Sequence, residues 1–86
     1  MPSISMFYGI TIYMYNTNEH YPPHFHVRYS GQEAVFSLKG KLLEGKIPRN
    51  KRDIIKAWTV IHYDELEANW QLAMNNEPLY NIKPLD

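Results

Sequence analysis

Cysteine is absent from this chain, so neither a disulfide nor a thiolate metal site can be built from it. Long apolar runs are missing too: nothing approaches the roughly 20 consecutive apolar residues of a membrane span. The first residues lack a basic segment leading into an apolar core, so no secretory leader is expected and cytoplasmic is the default location. Glycine is scarce, 4 in 86 residues, and the four do not form a phosphate-cradling loop. No serine sits in a strained nucleophile elbow. Net charge is also missing, because nine basic and nine acidic residues sum to zero. Thiol redox chemistry, P-loop nucleotide binding and serine-hydrolase chemistry are thereby set aside.

What is present is aromatic. Seven Tyr, three Phe and two Trp supply much apolar area for a chain of this length. Residues 1–86 make one domain's worth of chain, which is marginal in stability, well packed or stabilised by a partner. Tyr and Trp recur at interfaces, so part of the aromatic set is available to a second chain.

The charges are segregated. Seven of the nine basic residues lie from Lys39 to Lys56, opposed only by Glu44 and Asp53. Acidic residues dominate from Asp64 onward. The basic middle, with Lys46, Arg49 and Arg52 at its centre, has the make-up of an anion or nucleic-acid footprint. In a neutral chain the preferred reading is a solvated turn and helix start.

The first half reads as strands and the second as helix. Met6 to Tyr15 forms a strand with Ile10, Ile12 and Met14 on one face and Thr11, Tyr13 and Tyr15 on the other. Asn16 to Pro23 is a loop closed by a Pro pair. His24 to Tyr29 and Gln32 to Leu38 are strands joined at Ser30-Gly31, and Lys41 to Ile47 returns as a fourth. Past Pro48, Ile54, Trp58 and Ile61 lie at helical spacing, with Asn50 as N-cap. The stripe resumes at Leu66, Trp70 and Ala73 after a phase break near Tyr63, where Asp64 and Glu67 have capping-box spacing. Asn75-Asn76 and Pro78 end the second helix, and the apolar spacing of Leu79, Ile82 and Leu85 predicts a docked tail. The fold expected is α+β: an antiparallel sheet of three or four strands, then two C-terminal helices packed on one face. Its core takes in Phe7, Ile10, Ile12, Phe25, Val27, Ile54, Trp58, Ile61, Leu66 and Trp70.

One segment carries the residue types of a site. In His24-Phe25-His26-Val27-Arg28-Tyr29 the side chains alternate, placing Phe25, Val27 and Tyr29 inward and His24, His26 and Arg28 together on the other face. Two imidazoles about 7 Å apart along a strand can share a metal ion, but a third ligand must come from elsewhere, His20 or His62 being the histidines at hand. The same face can bind a phosphate or carboxylate through Arg28 and protonated His, or run acid–base chemistry on a phosphodiester. The bland alternative is a structural face, with Arg28 paired to Glu33 across the hairpin. No carboxylate cluster or nucleophile accompanies the histidines, so no catalytic residue, metal or cofactor is assigned. Trp58 and Trp70 belong to the helical stripe, while His62, near that stripe, is counted with His24, His26 and Arg28 in the candidate polar site, its bland reading being a half-buried, satisfied histidine.

Ile4-Ser5-Met6-Phe7-Tyr8-Gly9, Pro22-Pro23-His24-Phe25-His26-Val27-Arg28-Tyr29 and Leu43-Glu44-Gly45-Lys46-Ile47-Pro48-Arg49 resemble a bacterial family catalogued as domain of unknown function 4160. Trp58, His62, Glu65-Leu66, Asn69-Trp70 and Glu77-Pro78-Leu79 follow in the family's order. The resemblance implies no enzymatic activity to carry over. It does imply a toxin–antitoxin-like gene pairing with another small domain. Family members commonly carry Arg where Met6 and Tyr13 stand here, so a basic strand face has become apolar and aromatic. The function expected is a non-catalytic interaction module of such a pair or of a regulatory one, with a small protein as partner. A homodimer and nucleic acid are left open as further partners, and no membrane is expected. The alternative is a small His-dependent hydrolase or nuclease acting on RNA or another phosphoester.

Overall fold

Short turns between consecutive strand-forming segments leave antiparallel pairing as the simplest outcome, and the computed structural model follows it throughout. Residues 3–15 and 22–85 are described. The strands are β1 (Ser3–Phe7), β2 (Ile10–Tyr13), β3 (His24–Tyr29), β4 (Gln32–Ser37) and β5 (Leu42–Gly45). They lie in the order β1-β2-β3-β4-β5 as one antiparallel meander. Two helices follow, α1 (Arg49–Ile61) and α2 (Tyr63–Met74).

The sheet has five strands rather than three or four, because the aromatic run after Met6 is not a single strand. Tyr8 and Gly9 take positive φ values of 50° and 77° and reverse the chain between β1 and β2. Two consecutive left-handed residues make the two-residue turn whose twist matches a hairpin, and the β3–β4 turn at Ser30-Gly31 repeats it. Residues 16–21 of the expected loop lie outside the described residues.

Inward-facing residues of the meander form the core with the helices: Ile10, Ile12, Phe25, Val27 and Phe36 from the strands, Ile55 and Trp58 from α1, and Leu66 and Trp70 from α2. Trp58 is the central piece, its ring 5.3 Å from that of Phe7 and 5.9 Å from that of Phe25. The expected core holds except on α1. Ile54 is only partly buried and Ile61 is 62% exposed, while Ile55, Trp58 and Thr59 face inward. The buried stripe runs one residue out of the expected phase, sharing only Trp58 with it. Thr59 is tolerated inside because its hydroxyl donates to the Lys56 carbonyl at 2.7 Å.

The helix starts also differ from expectation. Pro48, not Asn50, precedes the first turn of α1, and no side chain caps it. The break between helices falls at His62, with Asp64 and Glu65 in the first turn of α2 where their charge suits the helix dipole; Asp64 is not the cap. The tail docks as its spacing predicts: Ile82 is buried, and its N–H donates to the Ile4 carbonyl of β1 at 2.7 Å. Among the described residues no helix is long and apolar enough to cross a membrane.

Candidate functional site

Strand alternation puts His24, His26 and Arg28 in one row of β3, as the sequence predicts, and the register supplies their neighbours. Tyr13 lies opposite His26 and Thr11 opposite Arg28 on β2; Val35 and Glu33 face the same two residues from β4, and Glu44 of β5 faces Val35. Cross-strand partners share a face. The site is therefore a sheet surface of mixed aromatic, basic and acidic side chains rather than a cleft.

Within it, the Arg28 guanidinium lies 5.7 Å from the centre of the Tyr13 ring, within the range of a cation–π contact. Arg28 also reaches the Glu33 carboxylate at 3.7 Å, as the hairpin register predicts. With both groups well exposed, that pair adds little stability. Tyr15 stacks on His26 with ring centres 4.7 Å apart. A shallow cavity of about 190 Å³ opens beside His26, lined also by Glu33, Ala34, Val35, Glu44 and Gly45.

His24 stands apart from this open surface although it belongs to the same row. It is 5% exposed. Its ring meets Trp70 of α2 at 5.2 Å and the edge of His26 at 5.2 Å, and its Nδ1 contacts the Pro22 carbonyl at 2.9 Å. A ring held on three sides is a packing element before it is a proton carrier. Nothing in the local sequence announces the contact with Trp70, which depends on how α2 is placed.

His62 is not brought to the β3 row. It sits at the junction of α1 and α2, its Nδ1 2.6 Å from the Glu65 carboxylate and its ring 5.8 Å from Trp58. His20, the other third-ligand candidate, lies outside the described residues. Among the described residues no group of three or more His, Asp or Glu is placed to hold a metal ion. Lys46 and Arg49 are exposed around the start of α1, and Arg52 is half-buried one turn on. Lys51 from the same turn lies 5.3 Å from the Tyr29 ring.

Sequence reasoning placed Tyr13 and Tyr15 on the face of their strand opposite Ile10, Ile12 and Met14 without making them part of the site. The partnership of Tyr13 with Arg28 and His26 follows only from the register of β2 on β3, and the stacking of Tyr15 on His26 from the course of the chain just past β2. Val35 and Glu44 were missed for the same reason.

A five-stranded antiparallel meander with a following helix pair makes this an α+β protein. The model of the family described as domain of unknown function (DUF4160) matches residues 9–71, and the chain belongs to that family. No curated protein and no solved structure matches the chain.

Proposed function

We propose that the protein is a non-catalytic interaction module, one half of a toxin–antitoxin-like or regulatory pair, and that it receives a small protein partner on the outer row of its sheet. The observation that carries this reading is the Arg28–Tyr13 contact on an open sheet face. Arg and Tyr are the residue types that dominate interface energetics, and here each holds the other in place before a partner arrives. Met6 and Tyr13, the two positions where the family commonly carries Arg, pair with Thr11 and His26 and so belong to this same face. A face on which Met6 and Tyr13 stand beside Arg28, Glu33 and Glu44 suits a protein better than an anion. Lys46, Arg49 and Arg52 are assigned an accessory contact with an acidic part of the partner. Co-expression with the product of a neighbouring gene tests the reading: the two should co-purify, and a folded Tyr13→Ala, Arg28→Ala variant should lose the complex. Equal recovery with the variant would reject the face.

The alternative, a His-dependent hydrolase or nuclease, draws on the edge-to-face contact of His24 with His26. Burial of His24 leaves His26 as the imidazole nearer solvent. RNA left intact by the purified protein across about pH 5.5 to 8, where an imidazole changes charge, would remove this alternative.

A further inference from the structure

The tail that follows α2 is held by main-chain hydrogen bonds as well as by Leu79, Ile82 and Leu85, which pack on the core. Asn69, 1% exposed on α2, uses both ends of its side-chain amide on one residue: Nδ2 donates to the Tyr80 carbonyl at 2.8 Å and Oδ1 accepts from the Tyr80 N–H at 3.0 Å. The buried Trp58 indole donates to the Lys83 carbonyl at 2.9 Å. Between these points the Ile82 N–H reaches the Ile4 carbonyl of β1, and among the described tail residues the Ile82 side chain is the one fully buried. Tyr80, Asn81, Lys83 and Pro84 point their side chains to solvent.

This is the grammar of extended-peptide recognition: main-chain hydrogen bonds from fixed side chains and a strand edge, with apolar side chains, Ile82 foremost, seated on the core. The slot is prebuilt for such a ligand. Without the tail, the Asn69 amide and the Trp58 indole would each lose the partner described, a cost that a buried polar group does not bear without replacement. We propose that the slot between α2, Trp58 and the edge of β1 is a strand-binding site, filled in the monomer by the chain's own tail and open to the tail of a second copy. A second copy fits because its residues 80–83 carry the same backbone groups and the same isoleucine that already occupy the slot. The contacts are identical in cis and in trans, so the balance is set by effective concentration and by the connection over residues 75–78. Asn76 there holds a left-handed φ of 57°, and Pro78 stiffens the next step. A tethered tail competes at a concentration of order millimolar; exchange therefore belongs to crowded or locally concentrated chains.

The test uses the full chain and a synthetic peptide of residues 77–85. Added to isotope-labelled wild-type protein, the peptide should shift the Trp58 indole, the Asn69 side-chain amide and the Ile4 region. A peptide carrying Ile82→Asp should not. In a full chain bearing Ile82→Asp, whose own tail no longer fits, the wild-type peptide should bind about tenfold tighter or more, since the competing occupant is gone. If that variant fails to fold alone, recovery of its folded spectrum on adding the peptide counts equally as support. Absence of any peptide effect on both chains overturns the proposal. So does a wild-type response equal for both peptides.

Discussion

Asn69 and Tyr80 form a closed pair in which one side-chain amide satisfies both backbone groups of the other residue. Asn69 is buried, and the residue it holds leads into the tail that covers β1. Asn69→Ala removes two hydrogen bonds and leaves no polar group to replace them. It should cost about 2 kcal/mol in urea denaturation. Hydrogen exchange at the amide of Tyr80 should speed up before that of the sheet.

Gly45 ends β5 with φ of +88°, and a Cβ there would lie 2.3 Å from the Glu33 carbonyl oxygen. Neither the backbone angle nor that oxygen can give way cheaply. Gly45→Ala should destabilise by at least about 2 kcal/mol, read from the shift in the denaturation midpoint. It should also disturb the cavity beside His26, which Gly45 lines.

Ile55 and Ile61 separate the two phases in which α1 can be read. Ile55→Ala should cost about 2–5 kcal/mol as a cavity in a close-packed core. Ile61→Ser should stay within about 0.5 kcal/mol. Thermal melts of the two variants decide between the phases, and equal losses would contradict the packing described.

Tyr63 opens α2 and donates its hydroxyl to Glu67 at 3.1 Å. Its pKa lies above the usual phenol value, first because of that hydrogen bond, then through desolvation and through the charges of Glu67 and Asp64. A pH titration of the Tyr63 phenol should show it ionising above its usual range, and Glu67→Gln should lower that value. The raised folded-state value favours the folded protein below the unfolded pKa of about 10, and this contribution fades as pH climbs through the folded pKa.

The strands of the sheet were legible because alternation and two-residue turns are local signals. β3 and the Ser30-Gly31 turn could be read residue by residue. The Tyr8-Gly9 turn was passed over because it is buried in an aromatic, β-branched run; the glycine was the available signal. On α1, apolar residues at 54, 55, 58 and 61 support two overlapping stripes, and only docking onto Phe7 and Phe25 selects the one with Ile55. The same limit applies to the site. Alternation put His24, His26 and Arg28 together, but the cover over His24 and the ring under Arg28 come from Trp70 and Tyr13, residues distant in sequence or fixed by register.

The most direct test of the interaction reading is affinity purification of the intact protein from its own cells after brief crosslinking, beside a Tyr13→Ala, Arg28→Ala variant shown to be folded. The account predicts one small protein enriched with the wild type, crosslinked to residues of the outer row and lost with the variant. Recovery of the same partner at the same level with both proteins, or crosslinks confined to other surfaces, would contradict it.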